Sequence, residues 1–269
     1  MSEQLKTPAS YLDAADITTD KLTHQPEGVI LLSYLPKTVQ SPPNVELHPR
    51  PDYAEGRKRS IHGVYFADLA LAHTDRPVVT QPVAIKPVLS VHFAAHEYRT
   101  ADYLNRDGQQ LTFQLLGFIR RGSQFSTITK FDSGVVSYDN IILQERSRPP
   151  EQAVQEALIV AARTLLILHD KQLVHGDFQI KNTASDINGR TRVVDLTTMR
   201  AFSTASDVSD DITQYTGSLT RFGTRPSPIT QQQFQDYFLD TYRDGITDVF
   251  PVQRQADVRI ALAGLRAML

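Results

Sequence analysis

Val154, Leu158, Ala161, Leu165 and Leu168 recur at intervals of four, three, four and three residues. That spacing lines five apolar side chains along one stripe of an α-helix, and the stripe has to be buried. Pro150 stands at a first helical position, where a missing N–H removes no bond. A helix of this kind needs a partner layer, and the chain before it has a different pattern. Ile61–Ala72 and Val78–Val88 read as strands on either side of a turn at His73–Pro77. Leu111–Ile119 and Phe125–Phe131 read as two more, joined by Arg120–Gln124. Between these pairs, Ala94, Tyr98, Ala101 and Leu104 give Ser90–Leu104 helical spacing, stopped by Asp107-Gly108. Nearer the start, residues 1–27 are polar and Gly28–Leu35 reads as a short buried strand. Ser41–Arg59 carries four prolines and clustered charge and reads as a loop.

The character changes after Asp132. Asp132–Tyr138 reads as a connector, and the strongly patterned helix follows it. Then come a polar loop at His175–Asn182, a turn at Asn188-Gly189 and a short apolar strand at Arg192–Leu196. Ser203–Gly217 is polar and acidic and reads as a mobile segment. Thr230 and Gln233 form a capping-box pattern. It opens a helix with Phe234, Tyr237, Phe238 and Tyr242, ended by Gly245. A last helix covers Val252–Leu269. The organisation expected is a partly irregular extension over 1–60, a strand-rich lobe with one key helix over 61–131, and a reduced helical lobe over 132–269. The class is α+β.

Composition narrows the chemistry. With 41% hydrophobic and 22% charged residues in 269, the chain can bury a core. It has no Cys, which excludes disulfides, zinc–thiolate sites, iron–sulfur clusters and cysteine nucleophiles, and fits a reducing compartment. The net charge of −2 gives no footprint of dedicated nucleic-acid binding. No apolar run approaches the roughly 20 residues of a membrane span, and Met1–Ser10 lacks a signal-peptide core. A cytoplasmic protein is expected.

The informative segment is Leu173–Leu196, LVHGDFQIKNTASDINGRTRVVDL. His175-Gly176-Asp177 is followed by Asn182 five residues after the Asp, and Val193-Val194-Asp195 ends thirteen residues after the Asn. This resembles the catalytic loop and metal-binding strand of the protein-kinase-like superfamily. In its His-Gly-Asp form it is nearest to aminoglycoside phosphotransferases, choline kinases and other atypical bacterial kinases. Upstream, Val83-Ala84-Ile85-Lys86 matches the family's lysine strand, and Glu97 lies in the next helix as the natural partner of Lys86. The order of lysine strand, glutamate helix, two strands, connector, helix, catalytic loop and metal strand is the family's order.

The resemblance implies a bilobal protein-kinase-like fold and an ATP-dependent phosphotransferase with a hydroxyl acceptor, either a small molecule or sugar or a protein Ser/Thr. Asp177 would orient the attacking hydroxyl, and Lys86, held by Glu97, would neutralise the α- and β-phosphates. Asn182 and Asp195 would bind magnesium through hard oxygen donors, and His175 would buttress the loop. The nucleotide would sit between the lobes with Phe131–Val135 on its adenine side, so Phe131, Asp132, Gly134 and Val135 are candidate nucleotide contacts. Lys181 is either a phosphate contact or a solvent-facing charge.

Four departures from the family stand out. No Gly-rich loop is present; Gly56 and Gly63 stand alone, and a turn near Gly63 is the candidate cover for the nucleotide. Pro82 and Pro87 flank the lysine strand, which should force a bulge or unpaired stretch. Leu196-Thr197 replaces Phe-Gly after Asp195, and no Ala-Pro-Glu follows. A pseudokinase scaffold and nucleotidyl transfer on the same fold are the competing readings. The spacing of His92 and His96 also permits a zinc site, but without a third ligand they read as surface histidines. Asp207, Asp210 and Asp211 read as a solvated acidic cluster, and Arg57-Lys58-Arg59 as a solvated basic one.

Overall fold

Adjacent residues of the strands are buried on opposite sides of one sheet, as a two-residue period requires. Ile30 and Phe118 belong to one apolar cluster, together with Ala94 and Ala95 of a helix. Their neighbours Leu31 and Ile119 belong to the other, with Ala67, Leu69, Val83, Ile85 and Ile128. The computed structural model describes residues 22, 27–32, 44–50, 63–73, 76–108, 110–131, 136–137, 151–186, 188–202, 204–220 and 229–268. The chain divides into two compact units, one within Tyr11–Val135 and the other within Val136–Leu269.

The first unit holds β1 (Gly28–Leu31), β2 (Asn44–Pro49), β3 (Tyr65–His73), β4 (Arg76–Val88), α1 (Val91–Leu104), β5 (Leu115–Arg121) and β6 (Gln124–Lys130). Among the described residues the six strands form one antiparallel sheet in the order β1-β5-β6-β4-β3-β2. Ser90 caps α1, its side chain accepting from the Phe93 N–H. Two described stretches of the 1–60 extension, β1 and β2, are strands of this sheet. β2 falls inside the segment read as a Pro-rich loop. Among the described residues it pairs only with β3, and its proline, Pro49, ends the strand opposite Ala67. An edge strand tolerates proline because one side of it has no ladder to break. The residues between Pro49 and Gly63, including Gly56 and Arg57-Lys58-Arg59, lie outside those described.

Pro82 and Pro87 neither bulge nor unpair β4. The carbonyl of Pro82 accepts from the Phe131 N–H at 2.9 Å, so this residue faces β6, whose own strand ends at Lys130 opposite Val83. By strand alternation Pro87 faces β3, whose pairing ends at Tyr65 opposite Ile85. Each missing N–H thus points past the end of a neighbouring strand. The register shift in this pair lies elsewhere, between Leu71 and His73.

The second unit is mainly helical. It holds β7 (Val136–Ser137), α2 (Glu151–Asp170), β8 (Leu173–Val174), β9 (Thr183–Ser185), β10 (Thr191–Val193), β11 (Arg200–Ala201) and α3 (Ala205–Thr220). These are followed by a short turn of helix at Gln231–Gln233, a π-helical stretch at Phe234–Leu239, α4 (Asp240–Val249) and α5 (Val252–Met268). All five stripe residues of α2 are buried. The capping box of Thr230 and Gln233 is formed. Gly245 does not end its helix, which runs on to Val249. A Cβ there would lie 2.4 Å from Leu166 Cδ1, so the glycine serves the close approach of α4 to α2. The β9–β10 turn is closed by Asp186, which accepts from the N–H groups of Asn188 and Arg190 at 2.9 and 3.0 Å. Among the described residues no helix is long and apolar enough to cross a membrane.

Ser203–Gly217 requires correction, since most of it belongs to α3. Val208, Ile212, Tyr215 and Leu219 repeat at intervals of four, three and four and are buried. The Asp207 carboxylate accepts from the Thr204 N–H at 2.8 Å and so closes the first turn. Ser, Thr and Asp compete with helix locally, and that composition conceals the stripe.

The association of β1 with β5 is open to test. A Cβ at Gly117 would sit 2.3 Å from the Ile30 carbonyl oxygen, which is backbone and cannot turn aside. Gly117→Ala is expected to destabilise the protein by about 1–3 kcal/mol in urea unfolding. An unchanged midpoint would mean that β1 does not lie there.

Candidate active site

The second unit holds the polar loop between β8 and β9. α2 and β8 deliver the chain to it, and α3 supports it from beneath. Asp211 of α3 is completely buried. Its Oδ2 accepts from the His175 N–H at 2.8 Å and its Oδ1 from the Gly176 N–H at 2.8 Å. Its Oδ2 also lies 3.3 Å from His169 Nε2, while His169 Nδ1 lies 2.5 Å from the Tyr242 hydroxyl. Burial pushes the Asp211 carboxyl up, but the bond from His169 and the backbone donor of His175 outweigh it, and the net shift is down. Burial, with the Asp211 charge nearby, pushes the Tyr242 phenol well above its ordinary value. The phenol therefore stays protonated. Two turns further along α3, Ser218 Oγ accepts from the Ile180 N–H at 3.1 Å. The helix thus holds three backbone groups of the loop.

His175 is buried and points inward. Its Nδ1 accepts from the Asp177 N–H at 3.3 Å and its Nε2 donates to the Val194 carbonyl at 3.1 Å. That pattern requires the neutral ring. Burial holds the imidazole below its ordinary value, against the opposing pull of Asp211 and the Val194 carbonyl. His175 is therefore a positioning residue rather than a proton carrier. Gly176 has a φ of +74° and comes so close to the Thr198 carbonyl that a Cβ would lie 2.7 Å from its oxygen. Glycine meets both demands.

The loop brings Asp177 and Asn182 together. Asn182 Nδ2 donates to the Asp177 carbonyl at 2.8 Å and to Asp177 Oδ2 at 3.1 Å. Gln179 Nε2 donates to Asp177 Oδ1. Lys181 Nζ is 3.9 Å from Asp177 Oδ2 and about half exposed, so it leans toward the carboxylate in a weak surface pair. The Val194 N–H donates to the Asn182 carbonyl at 2.9 Å, which sets Asp195 one residue beyond Asn182's backbone. Asp195 has φ 60° and ψ 67°, and its Oδ1 accepts from Thr197 Oγ1 at 2.9 Å. With its Nδ2 committed to Asp177, Asn182 has Oδ1 as its oxygen donor. One carboxylate and one amide oxygen suit magnesium, which takes few protein ligands and completes its shell with phosphate and water. Among the described residues no group of three His, Cys, Asp or Glu side chains could hold a metal by itself, the His92–His96 pair included.

In the first unit, Lys86 of β4 and Glu97 of α1 form an ion pair with Nζ 2.5 Å from Oε1, and the Glu97 side chain is 7% exposed. The helix places a buried carboxylate against the strand's lysine, which fixes the ammonium group. Phe131 packs its ring against Phe66 at 4.6 Å between centroids, and its N–H is engaged by Pro82. Asp132, Gly134 and Val135 lie outside the described residues.

Seven contributors escaped the sequence reading: Asp211, Ser218, His169, Tyr242, Gln179, Thr197 and Thr198. Asp211 carried a usable signal, since it precedes Ile212 on the stripe of α3. Asp207 and Asp211 are both buried, so the acidic cluster is not a solvated loop, although Asp210 is exposed. Tyr242 and His169 are brought together only by the packing of α4 on α2.

No protein-family model matches the chain, and no curated protein matches it. Among solved structures the chain is similar to a Toxoplasma protein described as a divergent kinase lacking the glycine-rich loop, which regulates membrane ultrastructure of the parasitophorous vacuole. The identity is 23% and the TM-score 0.35, over 50% of this chain and 52% of that one. The match spans about half of that structure, and a likeness this slight carries no assignment.

Asp211 supplies a pH-dependent test. A carboxyl held below its ordinary value stabilises the fold above that value and loses the effect as pH falls through the folded value. Asp211→Asn should destabilise the protein by about 2–3 kcal/mol at neutral pH. The gap to wild type should narrow on acidification below about pH 4. Urea unfolding at both pH values checks this, and equal midpoints at neutral pH would overturn the role of Asp211.

Proposed function

We propose that the protein is a protein-kinase-like phosphotransferase that moves the γ-phosphate of ATP to a hydroxyl acceptor. The observation that carries the reading is the loop itself. Asp177 is held at both carboxylate oxygens, beside an amide oxygen and one backbone bond from a second carboxylate, on a loop pinned to a buried anion. An array of this kind suits in-line transfer, which needs orientation and charge neutralisation more than covalent help.

The acceptor hydroxyl would hydrogen-bond to Asp177. As its oxygen bonds to the γ-phosphorus, the bond to the bridging oxygen breaks, ADP leaves and the hydroxyl proton passes to Asp177. Lys86, fixed by Glu97, would neutralise the α- and β-phosphates. Magnesium, held through Asn182 Oδ1 and Asp195, supplies charge neutralisation at the phosphates when bound. Phe131, Asp132, Gly134 and Val135 remain the proposed adenine-side segment, and Lys181 a proposed phosphate contact. The His-Gly-Asp form favours a small-molecule or sugar acceptor over a protein hydroxyl. A cytoplasmic setting, with its ATP and magnesium, is the compartment this reading calls for.

The missing Gly-rich loop favours a second reading, a pseudokinase scaffold, and thermal stability separates the two. A ligand that binds only the folded state adds RT ln(1 + [L]/Kd), about 2.7 kcal/mol at a hundredfold excess over Kd. ATP with magnesium should raise the melting temperature of wild type, and Asp195→Ala should lose the magnesium-dependent part. No rise in wild type would leave the scaffold reading in its place.

Two substitutions test the chemistry. Asp177→Asn should lower transfer by about 10²–10⁴-fold while nucleotide still binds. Lys86→Ala should weaken nucleotide binding or transfer. Full activity in Asp177→Asn, read as phosphate transferred, would overturn the role of Asp177. A product carrying the nucleotidyl group, seen by its mass, would point instead to nucleotidyl transfer.

A further inference from the structure

The turn after β10 departs from the family pattern in sequence, with Leu196-Thr197-Thr198 after Asp195. In the structure this turn is pinned on both sides. Before Asp195, Val194 donates its N–H to the Asn182 carbonyl at 2.9 Å and accepts from His175 Nε2 at 3.1 Å. After it, Thr198 Oγ1 donates to the His175 carbonyl at 2.9 Å, and the chain continues into β11, which pairs with β8. The Asp195 backbone sits in the left-handed region, which a residue other than glycine enters at a cost, so the surrounding bonds hold it there.

That leaves the Asp195 side chain. An Asp preceding a helical turn ordinarily accepts a backbone N–H of that turn. Asp195 precedes the 3₁₀ turn Leu196–Thr198 and makes no such bond. Its Oδ1 instead accepts from Thr197 Oγ1 at 2.9 Å. A hydroxyl is a neutral donor. It fixes the carboxylate's rotamer without cancelling its charge, as a lysine in the same place would.

We propose that Thr197 is the positioning residue of the metal-ligand carboxylate, holding Asp195 ready for a divalent cation. This rests on the phosphotransferase reading above. Thr197 and Thr198 have separate tasks. Thr198 fastens the turn to the catalytic loop, and Thr197 orients the ligand within it. The consequence is a metal-binding turn that stays in one arrangement.

The test is a magnesium titration of ATP binding by the full-length protein, followed by thermal shift, with manganese binding followed by electron paramagnetic resonance. Removal of a residue that orients a metal ligand typically weakens metal affinity 10–100-fold. Thr197→Val, which keeps the shape and loses the hydroxyl, should raise half-saturating magnesium and manganese by that factor. Binding of ATP in excess chelator should be unchanged. Thr197→Ser, which keeps the hydroxyl, should stay within about threefold of wild type on the same scale. Thr197→Ala, which adds no bulk, is titrated beside the valine variant in case valine disturbs folding, and should match it.

Wild type with magnesium-dependent binding, and valine and alanine variants that titrate like it, would overturn the role of Thr197 and leave the phosphotransferase reading standing. A serine variant as weak as valine would overturn it too, since the effect would then lie in packing. Wild type with no magnesium-dependent binding would overturn the phosphotransferase reading itself, and the role of Thr197 with it.

Discussion

A carboxylate sealed from water at the middle of the helical unit must find its hydrogen bonds inside the protein, and the arrangement of the loop follows from how Asp211 does so. Left unpaired, a buried charge is too costly to keep. Asp211 receives the backbone N–H groups of two successive loop residues and lies against the ring of His169, which Tyr242 holds in turn. The donors come from two stretches of chain, the loop and the end of α2, and α4 supplies the tyrosine behind the second. To satisfy the anion, α2, α3, α4 and the loop must all take their places together. The fold and the loop's conformation are therefore one requirement.

The same economy appears at the two carboxylates above this anchor. Each is engaged by the side chain two residues further along: Asp177 by Gln179, and Asp195 by Thr197. Both donors are neutral. They restrict rotation without adding a positive charge, as the roles proposed for the two carboxylates require. His175 joins the two segments with a ring that is buried and neutral, and burial holds its imidazole below the ordinary value. Orientation is supplied by the scaffold and charge by the carboxylates.

Local pattern was legible wherever one physical signal dominated. The stripe on α2 and the alternation in β3, β4 and β6 needed no neighbours to be read. Lys86 and Glu97 could be paired on paper because the lysine strand and the helix after it resemble the kinase-like pattern, and the ion pair is formed. Elsewhere two signals conflicted. In α3 the apolar spacing competes with a composition of Asp, Ser and Thr that favours turns, and packing of the stripe decided the outcome. Around β2 the prolines of the sequence argue against a strand, yet Asn44–Pro49 pairs along a sheet edge where the missing donor of Pro49 does no harm. For Pro82 and Pro87 the deciding fact was where the neighbouring strands stop.

The chain by itself determined its α+β character, its main helix and the order of its polar motifs, because periodicity and residue chemistry are properties of short stretches. Only tertiary structure decided that Asp211 lies under the loop, that His169 reaches Tyr242, and that Thr197 rather than a backbone N–H engages Asp195. Those contacts join residues far apart in the chain, or depend on a backbone conformation that its surroundings impose. What selects them is the cost of leaving a buried polar group without a partner, and that cost exists only once the elements have packed.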